Sequence, residues 1–281
     1  MKVLARFAIQ EALRRRVFSV VAVLTAGFLA LYALGVWQAF KIVDDLGSGF
    51  DPVDPKVVVG STMFGLALFG TLFLGVVLAV FLTLGTIRGD AERGLLQPLL
   101  VRPITRREVL LSRLFAAGGV SSAYVLAVYL LAMLITGAIG GWWPGDPVRP
   151  ALALMLGVVV MTALSLAGSV LLASTANGIA VFMAFGTGLT AGLLGVIGNA
   201  LNSGPLTTAA DVVAYALPFE ALYQTALGYL TSGTTGFTRF ALQLGPLGGA
   251  REAGPLLWLW AIAYLGLVTA GALAAFKRAD L

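Results

Sequence analysis

The chain has 281 residues, of which 59% are Ala, Val, Ile, Leu, Met, Phe, Trp, Tyr or Cys and only 11% are Asp, Glu, Lys or Arg, with a formal charge of +5. Soluble domains carry about 25% charged residues, so this composition, with a mean hydropathy of +0.96, excludes a water-exposed globule. Cysteine and histidine are both absent, which excludes disulfides, thiolate nucleophiles, cysteine or histidine zinc sites, c-type haem attachment and every catalytic dyad or triad with an imidazole base.

Residues 1–16 precede the first long apolar run and predict an interfacial helix. Val3, Leu4, Phe7, Ala8, Ala12 and Leu13 fall on one helical face, and Lys2, Arg6, Gln10 and Arg14 fall on the other. Crossing a hydrocarbon core about 30 Å thick takes about 20 apolar helical residues, because the backbone must satisfy its own hydrogen bonds there. The charge-free runs 17–40, 57–87, 114–145, 150–210 and 253–276 meet that length. The run 150–210 is long enough for two helices. It holds a polar break at Ser174, Thr175, Ala176, Asn177 and Gly178, where a tight turn is expected. The fold expected is therefore all-α and polytopic, a single membrane domain over 1–281. Its spans are 17–40, 57–87, 114–139, 150–173, 179–201 and 255–276.

The connections are read in the same order. The loop 41–56 has four aspartates but lacks the D-x-D-x-D-G spacing of a calcium loop, so it reads as solvated. Stretch 202–254 is mixed. Its charge-free part, 221–238, is short and rich in Thr, Ser and Gly, which predicts a helical hairpin or re-entrant segment and not a seventh span. Pro218, Phe219 and Glu220 supply a helix start, followed by an apolar face of Leu222, Tyr223, Ala226, Leu227 and Leu230.

Six spans put the N-terminus, the loop 88–113 and the C-terminus on one side. That side holds 13 of the 18 basic residues, whereas the other holds 8 of the 13 acidic ones. Basic residues near span ends stay in the cytoplasm, so both termini are expected there, in the cytoplasmic (inner) membrane. Topology thus accounts for the positive charge, and no nucleic-acid partner is implied.

The loop 88–113 concentrates charge yet carries an apolar stripe of Leu95, Leu96, Leu99, Leu100, Val101 and Ile104. Thr105 and Glu108 form a T-x-x-E capping box that starts a new helix near Arg106, continuous with the third span. Pro98 and Pro103 divide the preceding chain into short pieces. A small amphipathic element held against the membrane by two spans suits docking into a groove of another protein.

Here the residues resemble a family. Glu92, Arg93, Gly94, Leu95 and Leu96, followed by Leu99, Leu100, Pro103, Ile104, Thr105, Arg106 and Glu108, resemble the E-x-G-T-L-x-x-L-L-x-x-P-[IV]-[ST]-R-x-E pattern of type-2 ABC export permeases. The chain departs from it at Leu95, where Thr is usual, and at Pro98. The layout is similar to the branches for multicopper-enzyme maturation and sodium or drug efflux. The resemblance implies that these twelve residues form the coupling element seated in a cytoplasmic ATPase. It further implies two such ATPase subunits and two permeases meeting in the membrane, the simplest case being a homodimer of this chain.

The chain cannot carry a P-loop, because its four lysines follow Met, Phe, Pro and Phe and never Gly. No cofactor site is expected in it, and ATP and magnesium would belong to the partner ATPase. Gly186, Gly188, Gly192, Gly195 and Gly198 line the fifth span, with a G-x-x-x-G at Gly188 and Gly192. Helix packing within the chain and a dimer or pathway wall explain Gly188, Gly192 and Gly195 equally well. No Asp, Glu, Lys or Arg falls in an assigned span, which favours a lipid-like or amphipathic substrate over a bare ion. Two other classes stay open. One is a non-transporting assembly or sensor subunit. The other is a membrane lipid enzyme, for which only Asp90, Glu92 and Glu108 could act.

Overall fold

A computed structural model describes residues 16–46, 54–84, 105–231 and 254–278. Among these residues there are eight helices and no strand. They are α1 (Arg16–Leu46), α2 (Pro55–Thr83), α3 (Arg106–Gly140), α4 (Val148–Leu171), α5 (Ser174–Ala200), α6 (Gly204–Ala216), α7 (Pro218–Thr231) and α8 (Pro255–Arg278). Six of them, α1 to α5 and α8, are long and apolar enough to cross a membrane. The interfacial helix expected over 1–16 lies outside the described residues, apart from Arg16 at the start of α1.

Each helix begins or ends for a local reason. Asp54 caps α2 by accepting from the Lys56 amide at 2.9 Å, and Pro55 occupies the first helical position, where a missing N–H costs nothing. Asp44 of α1 reaches across to Lys56 at 3.1 Å, so two charges of the aspartate-rich connection pair with each other. Gly141 ends α3 at φ 66°, the left-handed conformation that glycine adopts without a Cβ clash. Tyr129 then donates to the Pro147 carbonyl at 2.8 Å and ties the α3–α4 turn to the middle of α3.

Helix α1 runs on to Leu46, past the predicted limit at residue 40, since Lys41, Asp44 and Asp45 need only leave the hydrocarbon and not the helix. Helix α2 ends at Thr83, before the predicted limit at 87, where Leu84 turns extended ahead of Gly85 in the sequence.

The α4–α5 turn differs from the sequence expectation. The polar stretch beginning at Ser174 is not the turn but the first turns of α5, and the reversal falls on Leu172 and Ala173, both extended. Asn177 explains the difference. Its amide donates to the Ala173 carbonyl at 2.9 Å, closing the first helical turn. Its side chain points inward, fully buried, with Nδ2 donating to the Ser165 carbonyl of α4 at 2.9 Å.

Helices α2 and α4 form the centre of the bundle and are mostly buried, whereas α1 and α8 are mostly exposed. The outer helices thus present Val23, Leu31, Leu256 and Leu267 outward, as a chain dissolved in lipid requires. The main core joins Phe64, Leu68 and Leu72 of α2, Tyr129 of α3, Leu154 and Met161 of α4, Phe185 of α5 and Phe219 of α7. Two inter-helix hydrogen bonds fasten α1 to α3, Thr25 with Tyr124 and Tyr32 with Thr136. The glycines of α2 face different neighbours. A Cβ would collide with Trp142 at Gly60, with Phe28 of α1 at Gly70 and with Val125 of α3 at Gly75. These glycines therefore serve a helix surrounded on several sides.

Candidate functional site

Two places in the bundle bring polar side chains together. The first is the end that carries residue 105. Thr105 is the N-cap of α3, with its hydroxyl accepting from the Glu108 amide at 3.3 Å while the Glu108 carboxylate accepts from the Thr105 amide at 3.0 Å. This is the reciprocal capping box that the T-x-x-E spacing predicts. Helix α3 has 35 residues, about 52 Å at 1.5 Å each, so its charged first turns project beyond a hydrocarbon core of about 30 Å. The Thr105 amide, and after it the Thr105 hydroxyl, stabilise the Glu108 carboxylate and hold its pKa below the ordinary value.

Arg106 is exposed and reaches across to the C-terminal end of α8. Its Nη1 donates to the Phe276 carbonyl at 2.7 Å and lies 3.4 Å from the Lys277 carbonyl, and its guanidinium sits 5.6 Å from the centre of the Phe276 ring. A cation on the last carbonyls of a helix satisfies acceptors left over there and meets the negative end of the helix dipole. Below it, Leu110 and Leu114 of α3 pack with Leu166 and Val170 of α4 and with Ala272 and Phe276 of α8. The first turns of α3 and the last turns of α4 and α8 thus form one small cluster.

The other flank of the 88–113 loop is anchored separately. Thr83 at the end of α2 shares a 2.6 Å hydrogen bond with Ser165 of α4, whose carbonyl holds Asn177 of α5. A Cβ at Gly168 would collide with Asn177 Oδ1, so glycine is required where α5 closes on α4. Of the sequence-predicted coupling residues, Thr105, Arg106 and Glu108 are described, and the structure brings them together at the α3 start. Glu92, Arg93, Gly94, Leu95, Leu96, Leu99, Leu100, Pro103 and Ile104 lie outside the described residues.

The second place lies toward the other end of the bundle. The glycine run of α5 receives α7 of the same chain. A Cβ at Gly188 would collide with the Phe219 ring, and one at Gly192 with Glu220 Oε1. Gly195 is buried on the same face. Gly192 is eight residues from the end of α5, a depth of about 12 Å along the helix. Glu220 is buried at that depth, 4% exposed. Sequence reasoning assigned Glu220 to an outer connection as a first-turn acid. The signal that could have revealed it is Gln224, four residues on, which puts two polar groups on one face of a helix that is otherwise apolar inward.

Beside Glu220 a cavity of about 830 Å³ opens between α5, α6, α7 and α8. Its polar wall contains Asp211, Glu220, Gln224 and Thr225, and its aromatic wall contains Tyr215 and Trp260. Trp260 Nε1 donates to the Tyr215 carbonyl at 3.0 Å, which fixes the indole plane. Among the described residues, no group of three or more acidic, cysteine or histidine side chains could hold a metal ion.

The geometry defines an all-helical, multi-pass membrane protein with an open cavity between α5, α6, α7 and α8 and a capped helix that follows a loop rich in charge. The model of the ABC-2 family transporter protein matches residues 3–281, and the chain belongs to that family. A comparison with curated proteins gives no match.

Proposed function

We propose that this chain is the membrane-spanning permease subunit of an ATP-driven ABC exporter. Its loop 88–113 docks on a separate ATPase and passes the closure of that ATPase to the spans. The observation that carries the reading is the family match over residues 3–281 together with the capped α3 start that follows the loop directly. Two ATPases and two permeases would form the transporter, with both termini of this chain in the cytoplasm and ATP and magnesium bound by the partner. Helices α6 and α7 are read as a re-entrant hairpin, since Phe219 and Glu220 contact α5 at glycines well inside the helix. The cavity beside them is mostly apolar with few polar groups, which suits a lipid-like or amphipathic substrate.

Purification from native membranes tests the docking step. The wild-type chain should bring down an ATPase subunit, and the double variant Leu96→Asp, Leu99→Asp should lose it while the chain remains folded in detergent. A folded double variant that retains the ATPase at wild-type level would refute the assignment of the loop.

A further inference from the structure

One end of the bundle gathers cations from two helices far apart in sequence. The Arg106 guanidinium reaches the Phe276 and Lys277 carbonyls, so the first turn of α3 and the last turn of α8 lie within one arginine length of each other. Arg107 follows Arg106 directly, and Lys277 and Arg278 follow Phe276. These three side chains are exposed, and none has an ion-pair partner among the described residues. Arg106 and Arg113 are engaged within the chain, which leaves capacity for an anion to the other three. The described acid of these turns, Glu108, has its carboxylate turned to the Thr105 amide and hydroxyl. Five cations thus stand against one carboxylate that is already satisfied.

Beyond the cations the same helices turn apolar side chains outward. Residues four apart lie one above the other on a helix. On α3, Arg107 is followed at that spacing by Leu111 and by Phe115, which is 66% exposed. On α8, Lys277 stands over Leu273, and Arg278 stands over Ala274, Gly271 and Leu267, which is 62% exposed. A soluble acidic partner would meet the cations but not these stripes, which lie on spans dissolved in hydrocarbon. The ligand that matches both carries negative charge at the helix ends and hydrocarbon along the helices. A zwitterionic headgroup gains less, because its own ammonium is repelled by the same three cations.

From this arrangement we propose that the start of α3 and the end of α8 together bind one anionic phospholipid. Arg107, Lys277 and Arg278 hold its phosphate, and its acyl chains lie along Leu111, Phe115, Leu267 and Leu273. A guanidinium grips phosphate oxygens with a planar fork, and an ammonium adds a point charge. Arg106 is a positioning residue, since its bond to the Phe276 carbonyl keeps the two helix ends together. The bound phosphate would be a second tie between α3 and α8. The inference is independent of the exporter reading and needs only that this end of the bundle lie in a leaflet.

The test titrates the full chain in neutral detergent with phosphatidylglycerol or phosphatidylcholine and counts bound lipids by native mass spectrometry. The first phosphatidylglycerol should bind about tenfold or more tighter than phosphatidylcholine. Arg107→Gln, and separately the pair Lys277→Gln, Arg278→Gln, should each weaken it about fivefold or more, and all three together should bring it to the phosphatidylcholine level. The exposed cations of the opposite end supply the control. Lys41→Gln, Lys56→Gln, Arg149→Gln removes as many charges and should leave the preference intact. Glycerol phosphate, a head without chains, should not displace the lipid. Equal affinity for the two lipids, an equal loss in the control variant, an effect confined to one helix, or displacement by glycerol phosphate would each overturn the proposal. A triple variant that keeps its lipid but loses a co-purifying ATPase would mark the patch as a protein-docking surface and overturn it as well.

Discussion

Arg106 Nη1 donates to the main-chain carbonyl of Phe276 at 2.7 Å, so the first turn of α3 is pinned to the last turn of α8 across 170 residues of sequence. Both ends of the 88–113 loop are consequently fastened, one through Arg106 to α8 and the other through Thr83 to α4 and α5. A push on the loop would reach three spans through hydrogen bonds to backbone and hydroxyl groups.

Substitution at Arg106 separates docking from transmission. Arg106→Gln should retain the ATPase, because the guanidinium faces α8, yet should lower solute moved per ATP hydrolysed severalfold. Arg106→Lys should recover part of it, since an ammonium can still reach a helix C-terminus but cannot reproduce the planar fork. The measurement is the transport-to-hydrolysis ratio in vesicles. Loss of ATPase binding in Arg106→Gln would place Arg106 in the docking surface instead.

Thr105 predicts a local stability effect. Thr105→Ala removes the hydroxyl that accepts from Glu108 and should cost about 1 kcal/mol at the α3 start, whereas Thr105→Ser should cost little. Hydrogen exchange at the amides of the first helical turn would show it as an acceleration of about fivefold in the alanine variant. Equal exchange in the two variants would mean that the capping box does not hold that turn.

The α5 glycines should separate into two groups. Gly188→Ala and Gly192→Ala place a methyl against Phe219 and Glu220, and overpacking of this kind costs about 1–3 kcal/mol. At Gly186 a Cβ meets nothing within 4 Å, so Gly186→Ala should be neutral or stabilising by up to about 1 kcal/mol through helix propensity. Thermal unfolding in detergent of the three variants checks the order. If Gly192→Ala left stability intact and split a dimer, the G-x-x-x-G would belong to a chain–chain contact and not to α7.

Asn177 should resist conservative replacement. Asn177→Leu removes the donor to the Ser165 carbonyl and sets a larger branched side chain against Gly168, so a loss of about 2 kcal/mol or more is expected. Asn177→Asp, which loses the amide donor as well, should not rescue it. Detergent unfolding midpoints would reveal any rescue.

How much of this was legible depended on the range of the interaction. The six helices long enough to span were readable because hydrocarbon excludes charge, and position along the chain suffices to see where charge stops. The capping box was readable because Thr105 and Glu108 meet within one turn. Asn177 was misassigned to a turn because its partners, Ser165 and Gly168, lie on another helix, and polar residues in sequence look alike whether solvated or buried. Glu220 was hidden for the same reason. Its place is set by Gly192, 28 positions earlier, and a first-turn acid after Pro already had a sufficient local explanation. For the α5 glycines, chain position alone does not show that Phe219 and Glu220 of α7 meet Gly188 and Gly192.

The central claim is that ATP hydrolysis outside this chain moves a solute through it. The most direct measurement reconstitutes the chain with its co-purifying ATPase in sealed vesicles and follows a labelled amphipathic solute across the bilayer. The account predicts movement with ATP, none with a non-hydrolysable analogue, and none with the double variant Leu96→Asp, Leu99→Asp. Sustained ATP hydrolysis that moves none of a panel of cationic, neutral and anionic amphiphiles would contradict it and mark the chain as an assembly or sensor subunit.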